Sequence, residues 1–287
     1  MKYCFLRYPG GKAKAVTFSY DDGVRHDLRL LETLNRYGIK CTLNLCSGRL
    51  GQSPSDSRLC PAEIQEHILD KGHEVAVHGK FHTSPVLTRP IQAIQDVLNC
   101  RLELEQTFDR IIRGMAYADT GNMQLCHNGT DYETIRQYLK DLGIVYARVT
   151  GDPLKNFRLP TDWLCWHPTA RHADPNVKDL IKAFADLDVN SLYRSSRYPR
   201  LFMLWGHSFE FNNNQNWELL EELCEALGSL DDTWYATCME IYEYVTAYDA
   251  LVYSADCTKL YNPTLVKLWV DVDGVPYTID PGQTITV

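Results

Sequence analysis

The nonapeptide AVTFSYDDG, residues 15–23, runs a strand-like stretch, Val16 to Tyr20, directly into two adjacent carboxylates and a glycine. Asp tolerates unusual backbone angles and Gly supplies positive φ, so on local chemistry alone the segment is an ordinary turn. A second reading gives Asp21 and Asp22 separate tasks at the end of a buried strand. The chain on either side decides between the two.

Downstream, Asp27–Tyr37 carries leucines at helical spacing (Leu28, Leu31, Leu34), Gly38 stops the helix, and the apolar run Ile39–Leu45 follows. The pattern recurs. Pro61–Lys71 reads as a helix, Gly72 ends it and His73–Val77 reads as a strand; Tyr132–Leu142 is helical, Gly143 ends it and Ile144–Val149 is a strand. Ile91–Phe108 and Trp217–Leu227 add helices, while Arg110–Ala116 and Leu201–Trp205 add strands. Strands separated by helices make parallel sheets, and about six or seven such units predict an α/β fold of barrel-like form. After a helical segment, MEIYEYVTAYDAL, the stretch Thr264–Val287 alternates around Asp273-Gly274. That pattern predicts a small C-terminal β-hairpin appendage. The expected division is a catalytic barrel over residues 1–250 and an appendage over 251–287 packed on it.

Composition narrows the partners. The 287 residues are 45% hydrophobic and 23% charged, which suits a full globular core. A net charge of −8 gives no basic footprint for a phosphate backbone, so nucleic acid is not an expected partner. No run of about eighteen apolar residues predicts a membrane span, and MKYCFLRYPGGKAK turns polar before a signal core forms. The ten cysteines are scattered without a CxxC pair, which points to thiols rather than a disulfide framework. A cytoplasmic protein is expected.

Placed on this frame, the polar residues converge. Asp21 and Asp22 end the first strand, His78 ends HEVAV, His82 lies four residues on, Arg113 sits in IIRGMAYADTG, and His207 ends LFMLWG. Carboxyl ends of strands form the rim where barrel enzymes assemble their sites. If the loop after the strand makes one helical turn, His78 and His82 reach one metal ion, although HxxxH alone also describes incidental histidines. Asp21 or Asp22 can complete a three-ligand set while its neighbour stays free as a base. Such an ion lowers the pKa of water and polarises a carbonyl, which suits amide or ester hydrolysis.

These residues resemble the polysaccharide deacetylase family of metal-dependent carbohydrate esterases. Its TFDDG motif is matched by Thr17-Phe18-Ser19-Tyr20-Asp21-Asp22-Gly23 with two residues inserted, and its H-[ST]-x-x-H motif by His78-Gly79-Lys80-Phe81-His82. The resemblance covers about residues 14–245. It implies a deformed (β/α) barrel of about seven parallel strands, with Asp22, His78 and His82 as metal ligands and Asp21 as general base. Zinc is the default ion; cobalt, nickel and iron also suit two histidines and one carboxylate. The family's R-x-x-P-Y motif is only partly matched by Arg113-Gly-Met-Ala-Tyr117, where Arg113 is expected to pair with Asp21. Leu204-Trp205-Gly206-His207 resembles the last motif and makes His207 the general acid. Asp162-Trp163 is aligned with the Asp-Trp motif.

Other residues carry alternatives. Tyr117, Trp205, Trp163 and His172 are candidate substrate contacts; His172 can equally belong to a solvated loop and the tryptophans to the core. Glu210 either supports a histidine from behind or is a charge at a helix approach. The expected substrate is a small molecule or oligosaccharide bearing an N-acetyl or O-acyl group. A cyclic amide or imide hydrolase and a non-catalytic carbohydrate-binding barrel are the alternatives. A non-haem iron oxygenase would share the ligand types, but its usual all-β fold is at odds with the βα pattern.

Overall fold

The computed structural model describes residues 2–121, 123, 126–150 and 157–287. A short strand β1 (Cys4–Arg7) precedes β2 (Lys14–Asp21), the axis of the fold. Then follow α1 (Asp27–Arg36), β3 (Cys41–Leu45), α2 (Pro61–Ile64, continued to Leu69 as a π-helix), β4 (Glu74–Val77), α3 (Pro90–Phe108) and β5 (Gly114–Ala116). The second half brings α4 (Tyr132–Asp141), β6 (Tyr146–Arg148), β7 (Ala170–Arg171), α5 (Val177–Ala185), β8 (Arg200–Gly206) and α6 (Ser208–Asn213). Helix α7 (Trp217–Leu227), strand β9 (Thr233–Tyr235) and helix α8 (Cys238–Asp249) complete the barrel.

The main sheet runs β6-β5-β4-β3-β2-β8-β7, and all its pairs are parallel. The expected deformed (β/α) barrel with seven parallel strands is therefore found, with one addition. Along the edge of β2 opposite β8, residues Lys14–Val16 pair with β9, and Phe18–Asp21 pair with β3. The sheet curls until an isolated parallel bridge between Arg148 and Trp166 joins β6 to the segment leading into β7.

Strand alternation explains what each face carries. Val16, Phe18 and Tyr20 lie in the core formed with the surrounding helices, where Leu30, Leu31 and Leu34 of α1 and Leu220 and Leu223 of α7 also pack. The intervening positions Ala15, Thr17, Ser19 and Asp21 are small or polar and face the barrel axis. The helix stops at Gly38, Gly72 and Gly143 have φ of 66°, 73° and 67°, so each occupies the left-handed region that a Cβ disfavours.

The tail contains the expected hairpin and adds further strands to it. It forms two three-stranded antiparallel sheets from β10 (Val252–Tyr253), β11 (Lys259–Tyr261), β12 (Leu268–Val272), β13 (Val275–Ile279) and β14 (Thr284–Thr286). One is ordered β10-β11-β14, while the other is β1-β12-β13 and so takes up the N-terminal strand. Asp273-Gly274 is the expected two-residue turn, with φ of 52° and 93°. A boundary at residue 250 thus misses β1, whose Arg7 meets Asp271 at 3.2 Å, while Arg197 meets the same carboxylate at 2.6 Å. Among the described residues no helix is long and apolar enough to cross a membrane.

Candidate metal centre and active site

The two aspartates of the opening segment part company by backbone geometry. Asp21 keeps the strand alternation and points into the barrel, with its residue 1% exposed. Asp22 still donates its N–H to Asn44 O at 3.0 Å, but its φ is 88°, which breaks the strand and turns its side chain to a different place. A non-glycine residue held there is a strained position, of the kind that clusters at functional sites.

Asp22, His78 and His82 each offer one ligand atom, and these atoms lie within 4.8 Å of one another. His78 follows β4 and donates from Nδ1 to Ala116 O at 2.9 Å, which leaves the lone pair on Nε2. That Nε2 is buried and has no hydrogen-bond partner among the described residues, and the same holds for Asp22 Oδ1. Burial drives the His78 imidazole below its usual pKa against the opposing pull of Asp21, so the ring is neutral and ready to ligate. Arg58 Nη1 stands 3.6 Å from Asp22 Oδ1, at ion-pair range but beyond a hydrogen bond. Buried polar atoms without a hydrogen bond are costly, and two in one space with a second imidazole beside them fit a divalent cation. A water would satisfy them less completely.

The loop between the histidines is not the expected helical turn. It is a bend with Gly79 at φ 78° and His82 at φ 64°, which brings the two rings to 4.7 Å between centroids in an edge-on arrangement. The position where the family pattern has Ser or Thr is Gly79 because a Cβ there would collide with the Asp96 carboxylate. Asp96, on α3, accepts from Phe81 N at 2.9 Å and from Thr83 N at 3.4 Å. A carboxylate from a neighbouring helix thus holds the loop between the two histidines.

Arg148 is the guanidinium beside Asp21. It is wholly buried at the end of β6, its Nη2 lies 2.5 Å from both carboxylate oxygens, and its Nε donates to Ser19 Oγ at 3.0 Å. Asn44 Nδ2 adds a bond to Asp21 Oδ1 at 2.8 Å. Burial alone would raise the Asp21 carboxyl, but the charge of Arg148 and the hydrogen bonds it donates, helped by His207, bring it below the ordinary carboxylate value. The expected Arg113–Asp21 pair is not formed. Arg113 precedes β5, at the amino ends of the strands, and pairs with Glu243 of α8 at 2.6 Å. The signal for Arg148 was a lone charge at the carboxyl end of the apolar run Ile144–Val149.

His207 stands across the site, with Nε2 3.9 Å from Asp21 Oδ2 and Nδ1 2.9 Å from Glu210 Oε1. Burial would depress His207, yet the bond to Glu210 and the charges of Asp21 and Asp22 raise its pKa above the usual value. Glu210 itself is held far below its usual range. Burial opposes this, but His172, His207 and Arg171 all bond to it and prevail. Glu210 is therefore the support of a histidine, one of its two expected roles.

The candidate substrate contacts fare unevenly. His172 is 2% exposed, bonded through Nε2 to Glu210 Oε2 and through Nδ1 to Tyr20 Oη, both at 3.0 Å, so it braces Glu210 and has no free face for substrate. Tyr117 is wholly buried, and its hydroxyl donates to Leu164 O at 2.7 Å. Trp163 is packed edge-on against Trp166 and Tyr242, on the α8 side of the barrel, and does not reach the site. Its neighbour Asp162 accepts from Tyr132 Oη at 2.6 Å, also away from the histidines. Trp205 lies at the site but is 8% exposed, with the Arg148 guanidinium 4.8 Å and that of Arg171 5.6 Å from its ring. It shapes the floor between two cations.

Comparison with curated proteins finds no match. Solved structures do share the fold. A probable polysaccharide deacetylase from Pseudomonas aeruginosa PAO1 aligns with a TM-score of 0.57 at 15% identity, over 82% of this chain and 92% of its own. Puue allantoinase aligns with a TM-score of 0.57 at 14% identity, over 82% and 91%. The Xyl-CE4 domain of a multidomain xylanase from the hindgut metagenome of Trinervitermes trinervoides gives 0.50 at 17%, over 82% and 92%. At these identities the likeness is one of fold. Residues 8–147, which hold Asp21, Asp22, His78 and His82 and stop one position before Arg148, match the family model for polysaccharide deacetylase.

Proposed function

We propose that the protein is a metal-dependent hydrolase that removes an N-acetyl or O-acyl group from a carbohydrate or a related small substrate. The observation that carries this reading is the convergence of three elements. Asp22 Oδ1 and His78 Nε2, neither of which makes a hydrogen bond among the described residues, face His82 in one cluster, with an arginine-held carboxylate and a glutamate-held imidazole standing on either side.

Asp22, His78 and His82 would hold the ion, with zinc the default and cobalt, nickel or iron suited to the same donors. A divalent ion there supplies a lowered pKa to water and a polarised acyl carbonyl. Asp21, kept ionised by Arg148, accepts a proton from the attacking water. Arg148 fixes that carboxylate through two contacts and so removes the freedom to turn away. His207, whose pKa the bond to Glu210 raises, gives its Nε2 proton to the departing nitrogen or oxygen. Trp205 and the buried floor beneath it keep bulk water from the back of the site.

The proposed setting is a reducing cytoplasm, a reading supported by ten cysteines that all stand as free thiols. Cyclic amide opening is the second reading, favoured by the allantoinase that shares the fold. The test is acetate release from N-acetylated and O-acetylated oligosaccharides by zinc- or cobalt-loaded protein, with allantoin and hydantoin as parallel substrates. Acetate release lost in Asp21→Asn and His207→Ala supports the deacylase. Ring opening without acetate release transfers the mechanism to cyclic amides. No turnover of either class by metal-loaded protein overturns the reading.

A further inference from the structure

Beside His207 stands a cation that the hydrolytic chemistry does not use. Arg171, the last residue of β7, donates from Nη2 to Glu210 Oε1, the same oxygen to which His207 Nδ1 is bonded at 2.9 Å. The guanidinium therefore shares an acceptor atom with the proton donor of the site. It lies over the Trp205 ring at 5.6 Å, and its backbone N–H donates to Asp174 Oδ2 at 2.9 Å. Glu210 needs no third donor to stay in place, because His172 and His207 already grip its two oxygens. Unlike Arg148, which is wholly buried, the Arg171 side chain is 41% exposed while its Nε is enclosed without a partner. Its one contact with Glu210 leaves donors of the planar fork uncommitted, and a fork held over a ring loses little freedom when it binds an anion.

We propose that Arg171 reads a negative charge on the leaving-group part of the substrate. The acylated sugar or amide carries an anionic group, a carboxylate or a phosphate, on the portion that His207 protonates. This rests on the hydrolase reading of the site, and it narrows the substrate class from neutral acylated sugars to acidic ones. Phe209, 5.1 Å from the His207 ring, provides an apolar neighbour on the same side for the body of such a substrate.

The test is calorimetric binding of three probes to zinc-loaded protein: N-acetylglucosamine, its 6-carboxylate and its 6-phosphate. Wild type, Arg171→Gln and Arg171→Lys are compared. The expected result is binding at least tenfold tighter for a charged probe than for the neutral one, a ratio that falls below threefold in Arg171→Gln and is partly kept in Arg171→Lys. Preference for the 6-carboxylate or the 6-phosphate tells which anion the fork serves. Equal binding of charged and neutral probes by wild type, no measurable binding of either charged probe, or an unchanged ratio in Arg171→Gln overturns the inference. Acetate release is recorded in the same samples: charge-selective binding without turnover would sink the hydrolase reading and leave Arg171 as the anion reader of a binding site.

Discussion

The two ends of the barrel each set a carboxylate on the inner face of a strand, and they treat it in opposite ways. At the amino end, Glu74 of β4 accepts from Tyr146 Oη at 2.6 Å, Thr42 Oγ1 at 2.7 Å and Met239 N at 2.9 Å. Every one of these donors is neutral. Burial therefore wins, and the Glu74 carboxyl is raised. At the carboxyl end, Asp21 accepts from Asn44 but also from Arg148, and there the cation prevails over burial. Hydrogen bonds from neutral groups hold a carboxylate in place. At Glu74 the neutral donors do not offset burial, whereas at Asp21 the charge of Arg148 does, and a low carboxyl pKa favours the ionised form a base requires. The amino end thus fastens α8 to the barrel, and the carboxyl end holds a carboxylate suited to the base of the proposed reaction.

The strongest way to break this comparison is to neutralise each end in turn. Arg148→Gln leaves Asp21 as an uncompensated buried charge and should cost about 3–5 kcal/mol of stability, with activity lost by about 10²-fold or more. Arg148→Lys, which keeps the charge without the fork, should recover stability better than turnover. Glu74→Gln should cost about 1 kcal/mol and leave turnover unchanged. Urea unfolding and acetate release measured side by side decide it; equal losses at both ends would erase the distinction.

A smaller effect is expected at Glu210. Its bond raises the His207 pKa, so the charged donor persists to higher pH and activity is lost as pH rises through that value. Glu210→Gln should move the alkaline limb of the pH–rate profile to lower pH, with kcat down by about 10-fold or more. An unmoved limb would remove Glu210 from the support of His207.

Arg113 offers a contrast with Arg148. It pairs with Glu243 at a half-exposed position, and Arg113→Ala should change stability by less than about 1 kcal/mol and leave kcat/KM as it is. The smallest effect concerns Glu63, which Arg25 grips at 2.7 and 2.8 Å. This ion pair with Arg25, opposed by desolvation and helped by Cys60 N, lowers Glu63 to about 2. Its folded value lies below an unfolded value of about 4.3, so the stabilisation is full above that pH and fades as pH falls toward about 2. Thermal unfolding of Glu63→Gln should therefore converge on wild type only in acid.

Much of this could be read from spacing. The recurrence of helix, glycine and strand at Gly38, Gly72 and Gly143 gave the parallel barrel, because left-handed caps leave a residue-type mark. That Asp21, Asp22, His78 and His82 share a rim was legible for a related reason, because strand ends and short loops fix which residues meet there; Asp22 rather than Asp21 as the proposed ligand came from the family resemblance. What spacing does not encode is partner choice between distant elements. Arg113 precedes β5 and Arg148 closes β6, and the expected strand Arg110–Ala116 begins too early to show that Arg113 stands at the amino end. Likewise Asp96 holds the loop of the second motif from a helix that approaches in space, and no local pattern around Gly79 announces it. β1 was missed because its partner, β12, lies at the other end of the chain.

The central claim is that Asp22, His78 and His82 are metal ligands. It is tested by elemental analysis of protein purified without chelator, wild type against His78→Ala/His82→Ala. The account predicts near-stoichiometric divalent metal in wild type and its loss in the double variant. Wild type that stays empty after incubation with zinc, cobalt or nickel, or a double variant that keeps its metal, would contradict it.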